Sequence, residues 1–166
     1  MNIDDAKRKI AEKLAEIERF RREDLPEIIG TEAVNHYQQS FINEGKTDGS
    51  LQKWQDVKRR NPDSEWYGFS AENKKRFSPT RAQDKILTGD SKELQNAIKF
   101  TVKPDRVTIH NDKPYARVHN FGEGAKIFGK KAFKMPARPF IYLSETLNKN
   151  IHDKIVRELK AITGTK

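Results

Sequence analysis

Two apolar stripes of helical period bracket the chain, and they constrain its fold more than any other feature. Near the N-terminus Ile3, Ile10, Leu14 and Ile17 follow at spacings of seven, four and three, and Ala6, Ala11 and Phe20 extend the stripe. Near the C-terminus Leu147, Ile151, Ile155, Leu159 and Ile162 line up behind Ser144, whose hydroxyl suits a helix cap. Each stripe predicts an amphipathic helix with one face to bury, the first over residues 3–22. Between them the period changes to two. Ile98, Phe100 and Val102 alternate with polar residues, Pro104-Asp105 supplies a turn, and Val107 and Ile109 alternate on the return. Helical period at both ends and strand period between them predict an α+β fold.

Weaker signals fill in the rest. Pro26 suits the first turn of a second helix, where its missing N–H costs little, and Ile29, Ala33, Tyr37 and Phe41 then repeat every four residues up to a stop at Gly45. The two N-terminal helices are expected as an antiparallel pair. Asp90 followed by Glu93 suits the start of a short helical turn carrying Leu94. Pro114 opens a short helix through His119 that Gly122 closes, and Ile127-Phe128 and Ala132-Phe133 flank Gly129-Lys130 as a second hairpin. Residues 45–85 carry turn and breaker signals at Gly45, Asp48-Gly49, Asn61-Pro62 and Ser78-Pro79, and their aromatics Trp54, Trp66, Tyr67, Phe69 and Phe77 have no period. That stretch reads as an irregular surface arm with aromatic anchors, or equally as a loop packed on its own core.

The expected architecture is a single domain over 1–166. It comprises a helical pair (1–45), the irregular arm (46–85) and an α+β core with the C-terminal helix (86–166). Two N-terminal helices and a C-terminal helix pack beside a small, mainly antiparallel sheet built from residues 96–111 and 126–142. The 46–85 arm and the 123–135 hairpin project from it.

Apolar and charged residues each make up 34% of the 166-residue chain, so one core fits but much of the chain must be solvated surface or interface. With no cysteine there is no disulfide, thiolate metal site or cysteine nucleophile. No apolar run approaches the ~20 residues of a membrane span, and the charged start with Asp4 and Asp5 is unlike a signal peptide, so no membrane partner is expected. The net charge of +9 is divided unevenly: residues 1–50 hold 8 Lys/Arg and 11 Asp/Glu, residues 51–166 hold 25 and 13. Either the basic part faces phosphates, or the acidic part of one copy meets the basic part of the next, as in a head-to-tail ring. A solvated surface with chance bias is the plain alternative.

Little here suggests catalysis. The histidines His36, His110, His119 and His152 form no HExxH or comparable ligand spacing, and GxSxG, phosphate-binding and dinucleotide-binding fingerprints are absent. No catalytic residue, metal ligand or cofactor is therefore assigned. The distinctive cluster is basic: Lys126, Lys130, Lys131, Lys134 and Arg138, interleaved with Ile127, Phe128 and Phe133, with no acid among residues 124–144. Such a hairpin can lie on DNA phosphates or dock in an acidic groove, or it can be a solvated hairpin with its phenylalanines inward. Behind it, two prolines in Pro136-Ala137-Arg138-Pro139-Phe140 make a stiff connector that aims Arg138 and seats Phe140.

Several short motifs recur in one order. Phe41 is followed by Glu44-Gly45, Asp48-Gly49 and Trp54. Then come Ile86-Leu87-Thr88-Gly89 with Leu94 and Ile98, next Tyr115-Ala116 with His119, Phe121 and Gly122, and last Pro136-Ala137-Arg138-Pro139-Phe140. This order resembles the phage virion morphogenesis, or tail-completion, family of Mu-like and related tailed phages. The chain departs from that pattern at Ala97, where a serine is common, at Asn120, where a glutamine is usual, and at Ile141-Tyr142, which replaces leucine-glycine; residues 61–80 have no counterpart.

The resemblance implies a non-enzymatic structural protein of a phage or prophage, made in the host cytoplasm and placed in the virion. It would act in tail completion or head–tail joining. Its partners would be phage neck or tail proteins, with Tyr115, Ala116, His119, Phe121, Gly122, Pro136, Ala137, Arg138, Pro139 and Phe140 as fold or interface residues; the uneven charge adds further copies of the chain as expected partners in a homo-oligomer. The alternative is a DNA-binding module using the basic hairpin 126–138, through non-specific phosphate contacts.

Overall fold

The computed structural model describes residues 2–69, 77–89, 91–127 and 131–164, and of residues 125, 127 and 131 the backbone alone. The fold is α+β, with a long N-terminal helix, a C-terminal helix and small antiparallel two-stranded sheets. Its contacts divide it into two compact units: residues 1–36, 99–110 and 144–166, and residues 37–98 and 111–143.

The first unit opens with helix α1 (Ile3–Arg19), which passes through a π-helical turn (Phe20–Asp24) directly into α2 (Leu25–Asn43). The expected antiparallel pair is therefore corrected to one continuous helical path. Proline inside a helix lacks an N–H and crowds the carbonyl four residues back, which normally breaks the ladder. Here the ladder widens just ahead of Pro26. Leu25 N–H bonds Phe20 O, five residues back, and Arg19, Phe20 and Leu25 all keep right-handed helical angles (φ −61°, −54° and −60°). A π-turn absorbs the proline without a reversal of direction.

Two further elements belong to this unit. The hairpin of β3 (Ile98–Lys103) and β4 (Arg106–Asn111) matches the alternation read from the sequence, and residues 99–110 of it lie in this unit. Gly30 of α2 lets Phe100 approach, because a Cβ at Gly30 would collide with the Phe100 ring. Helix α6 (Glu145–Thr163) packs on α1, and its Lys154 pairs with Glu32 of α2 at 2.6 Å. Ser144 caps α6 as expected, its Oγ accepting from Leu147 N–H at 3.1 Å. On α6 Leu147 is buried, and Ile151, Ile155, Leu159 and Ile162 are half-buried on one face. On α1 the stripe stays largely uncovered: Ile3, Ile10 and Leu14 are 71%, 61% and 58% exposed.

The second unit takes up the end of α2. The helix stops at Asn43 with Glu44, not Gly45, in the left-handed region (φ 54°). Gly45 instead begins strand β1 (Gly45–Asp48), which pairs with β2 (Ser50–Lys53) around Gly49 (φ 73°). Trp54 N–H closes this hairpin onto Glu44 O at 2.8 Å. The buried Trp54 indole stands edge-on to Phe41 and donates to Pro139 O at 3.0 Å. The start of the 45–85 stretch is thus ordered and cored, a correction to its irregular reading. Its strands are short, β1 buried or half-buried throughout and β2 exposed throughout, so neither shows the alternation that marks a strand with one buried face.

A 3₁₀ turn (Lys58–Arg60) follows, then α3 (Pro79–Gln83), for which Ser78-Pro79 is a helix start: Ser78 Oγ accepts from Arg81 N–H at 3.3 Å. Next come α4 (Glu93–Asn96), α5 (Ala116–Phe121) and the hairpin of β5 (Gly124–Ile127) and β6 (Lys131–Lys134). Left-handed Lys92 (φ 50°) precedes α4, while Asp90, read as its start, lies outside the described residues. Both hairpins expected from the sequence form, but not in one sheet: among the described residues, three separate two-stranded sheets replace the single sheet expected from 96–111 and 126–142.

Candidate functional site

Two of the sequence motifs lock together in the second unit. Helix α5 ends at Gly122, whose φ of 70° favours glycine, and a Cβ there would lie 2.7 Å from Ala137 N. The next turn back supplies Asn120, which is buried. Its Oδ1 accepts from Phe140 N–H at 2.8 Å and Ile141 N–H at 2.9 Å, and its Nδ2 donates to Ile141 O at 3.0 Å. Arg138 N–H donates to His119 O at 2.8 Å. One amide side chain therefore satisfies three backbone groups of the stiff connector, and Phe140, 1% exposed, is delivered against Phe41.

Beside this lock lies a cleft of about 700 Å³. One wall runs from Gln55 to Arg59, and others come from Leu87–Gly89, from Tyr115 and His119 of α5, and from Phe133 to Pro136 with Arg138. The Arg138 guanidinium is buried, 4% exposed, and its Nε and Nη2 donate to Gln55 O at 3.2 and 3.0 Å. Burial pushes it below the ordinary arginine value, with nearby Asp56 pulling the other way. Burial and then the Arg138 charge push the His119 imidazole below its ordinary value. His119 Nδ1 is buried without a hydrogen-bond partner among the described residues. Arg59 fastens one wall by donating to the carbonyls of Arg81, Asp84 and Lys85.

A carboxylate braces the same unit through Arg60, which shares the Asp84 carbonyl with Arg59. Glu44 takes a hydrogen bond from Ile86 N–H at 2.6 Å and an ion pair from Arg60. Burial alone would raise this carboxyl, but those hydrogen bonds and the positive charges of Arg60 and Lys85 hold it below the usual range.

The basic cluster read from the sequence is divided. Lys126 and Lys134 are exposed, and the register Gly124↔Lys134 and Lys126↔Ala132 sets them on one face of the hairpin, with Phe133 on the other; at the end of the strand Phe133 and Lys134 both border the cleft. Arg138 is set apart from them, in the interior. Lys130 and Phe128 lie outside the described residues, as does the side chain of Lys131. Of the remaining motif residues Ala116 is buried, Tyr115 and Phe121 are 40% and 66% exposed, Ala137 is exposed, and Pro136 and Pro139 are half-buried.

Sequence reading missed Gln55, Arg59 and the roles of Asn120 and Glu44. Gln55 acts through its backbone carbonyl, which leaves no side-chain signal. Asn120 could have been found, because a polar residue inside a turn that otherwise packs is a candidate for backbone satisfaction. Among the described residues no group of three His, Asp or Glu could hold a metal ion, and no helix is long and apolar enough to cross a membrane.

A family model described as the phage virion morphogenesis family matches residues 2–160. No curated protein matches the chain. No solved structure matches it.

Proposed function

Because the chain belongs to the phage virion morphogenesis family, and so serves virion assembly as a structural, virion-associated protein, we propose that it acts in tail completion or head–tail joining. It works through protein–protein contacts, with phage neck or tail proteins and with further copies of itself, and carries no catalytic step.

The observation that carries this reading is the open stripe of α1. Ile3, Ile10 and Leu14 expose most of their surface on one helix whose other face is charged. Contiguous exposed apolar residues mark protein contacts, and a stripe of this spacing is covered when another helix or groove meets it. The uneven charge adds a second support for contact between copies: an acidic first 50 residues and a basic remainder attract head to tail.

The two supports separate in salt. Association through charge weakens as salt rises through roughly 0.1–0.5 M, where the Debye length falls below ~10 Å. Association through the stripe does not. Sedimentation velocity across that range reads the difference, and a monomer at every salt would remove contact between copies. The role itself is tested by electron microscopy of lysates from a phage with this gene disrupted. Filled heads beside separate or malformed tails are expected, and normal infectious virions would overturn it.

The second reading is non-specific DNA binding by the basic hairpin, favoured by the exposure of Lys126 and Lys134 on one face. It requires duplex binding with a steep negative salt slope, weakened by Lys126→Gln with Lys134→Gln. No binding at low salt would remove it.

A further inference from the structure

We propose that the cleft of the second unit is a docking site for an acidic peptide segment of a neighbouring virion protein. A carboxylate is drawn to Arg138 and Lys134, and an apolar side chain seats on Leu94, Phe133 and Met135. The proposal deepens the protein-contact reading and rests on it.

Three observations point to this occupant. First, the lining holds five cationic side chains, Lys58, Arg59, Arg81, Lys134 and Arg138, against the carboxylates of Asp56 and Glu93. Glu93 is already engaged by Lys113 Nζ at 2.9 Å and by Tyr115 OH at 3.3 Å, and Arg81 is paired with Asp84 at 3.0 Å. Among the described residues no carboxylate lies within ion-pair distance of Lys58, Arg59, Lys134 or Arg138. Asp56 acts on Arg59 and Arg138 from within the lining, and the cleft still carries an excess of positive charge in a concave, partly desolvated place, where an anion gains most.

Second, the interior is set up for a further acceptor. Arg138 is more than nine-tenths buried, and while Nε and Nη2 are engaged by Gln55 O, Nη1 meets, among the described residues, only the Met135 sulfur at 3.8 Å. Thioether sulfur is a weak acceptor, so a donor of the buried guanidinium is left for a stronger one. His119, whose Nδ1 has no partner among the described residues, lines the same cleft.

Third, the cations are interleaved with apolar surface from Val57, Leu87, Leu94, Phe133 and Pro136. A short peptide alternating acidic and apolar side chains matches both. Duplex phosphates lie on a wide cylinder that does not enter a recess of this volume, and an inorganic anion would leave the apolar part wet. The occupant in an assembling virion is a protein.

The test uses the full chain and three fluorescent probes: a hexapeptide alternating glutamate and leucine, its glutamine–leucine counterpart, and a short duplex. Anisotropy is followed for wild type, for Lys58→Gln with Lys134→Gln, and for Ser91→Trp, which fills the mouth of the cleft from an exposed position. Thermal melting confirms that both variants fold. The acidic peptide is expected to bind wild type, about tenfold more weakly to the double lysine variant, and not at all to Ser91→Trp. The neutral peptide is expected not to bind. Absence of acidic-peptide binding up to about 1 mM overturns the proposal, as does equal binding by wild type and Ser91→Trp or binding by the duplex alone. Complementation separates this inference from its premise. If the disrupted phage fails to complete tails while the folded Ser91→Trp protein restores them, the cleft proposal falls and the assembly role stands.

Discussion

In the second unit Phe41 and Phe140 are 0% and 1% exposed, and Phe41 packs edge-on to Trp54 and tilted against Phe140, whereas the first unit leaves Ile3 of α1 71% exposed. The contrast runs through both units. Tyr37, Phe41, Trp54, Ile86, Leu94, Ala97, Ile98, Ala116 and Phe140 make the buried apolar set of the second; Phe20, Ala33 and Leu147 make that of the first. The second is further fixed by side chains that satisfy backbone groups, with Asn120, Glu44, Arg59 and Arg138 each bonding main chain well separated in sequence. In the first, the side chains of α1 form exposed ion pairs three or four residues apart, which contribute little. One unit buries its apolar surface in its own core, and the other leaves an apolar face of α1 exposed.

Substitutions can break that comparison. The largest effect is expected from Asn120→Ala, which strips acceptors from the N–H groups of Phe140 and Ile141 and a donor from Ile141 O. A loss of about 4 kcal/mol in urea unfolding follows from leaving buried backbone groups unpaired. Next is Gly122→Ala, expected to cost about 3 kcal/mol, because its Cβ would meet Ala137 backbone at 2.7 Å and the φ of 70° is strained for any side chain.

Glu44→Gln is smaller, about 2 kcal/mol, for a partly exposed carboxylate bonded to Arg60 and Ile86. Its pH dependence has a definite sign. The folded carboxyl is held below its ordinary value of 4.5, so the stabilisation is complete above that value and is lost as pH falls below it. Acid titration of stability should therefore show a shallower fall in Glu44→Gln than in wild type. An equal slope would mean that Glu44 does not brace the unit. The smallest effect on folding, under about 0.5 kcal/mol, is expected from Ile10→Ser with Leu14→Ser, because both side chains are already mostly in water. A loss as large as that of Asn120→Ala would show that the stripe is core after all, and the comparison would collapse.

How far the sequence disclosed this division depends on what kind of signal each part leaves. The stripes of α1 and α6, the β3–β4 alternation, the Ser144 cap and the Gly122 stop were legible, because each rests on a local period or a single turn chemistry. The continuous passage through Pro26 was not. A proline before a helical pattern reads as a start, and only the π-turn ahead of it shows that the helix accommodates it. The β1–β2 hairpin was missed because its strands are only four residues long and neither alternates between buried and exposed positions. The motifs Tyr115–Gly122 and Pro136–Phe140 could be picked out as important, but not that Asn120 ties one to the other, since long-range bonds to backbone leave no period. The basic cluster looked uniform in sequence, yet the structure buries Arg138 and exposes Lys126 and Lys134.

The most direct test of the whole account is complementation of a phage lacking this gene with the Ile10→Ser, Leu14→Ser protein, alongside its melting curve. The account predicts a protein as stable as wild type that fails to restore complete virions, because the fold is held in the second unit while assembly uses the open face of the first. Wild-type titres from that stable variant would contradict it.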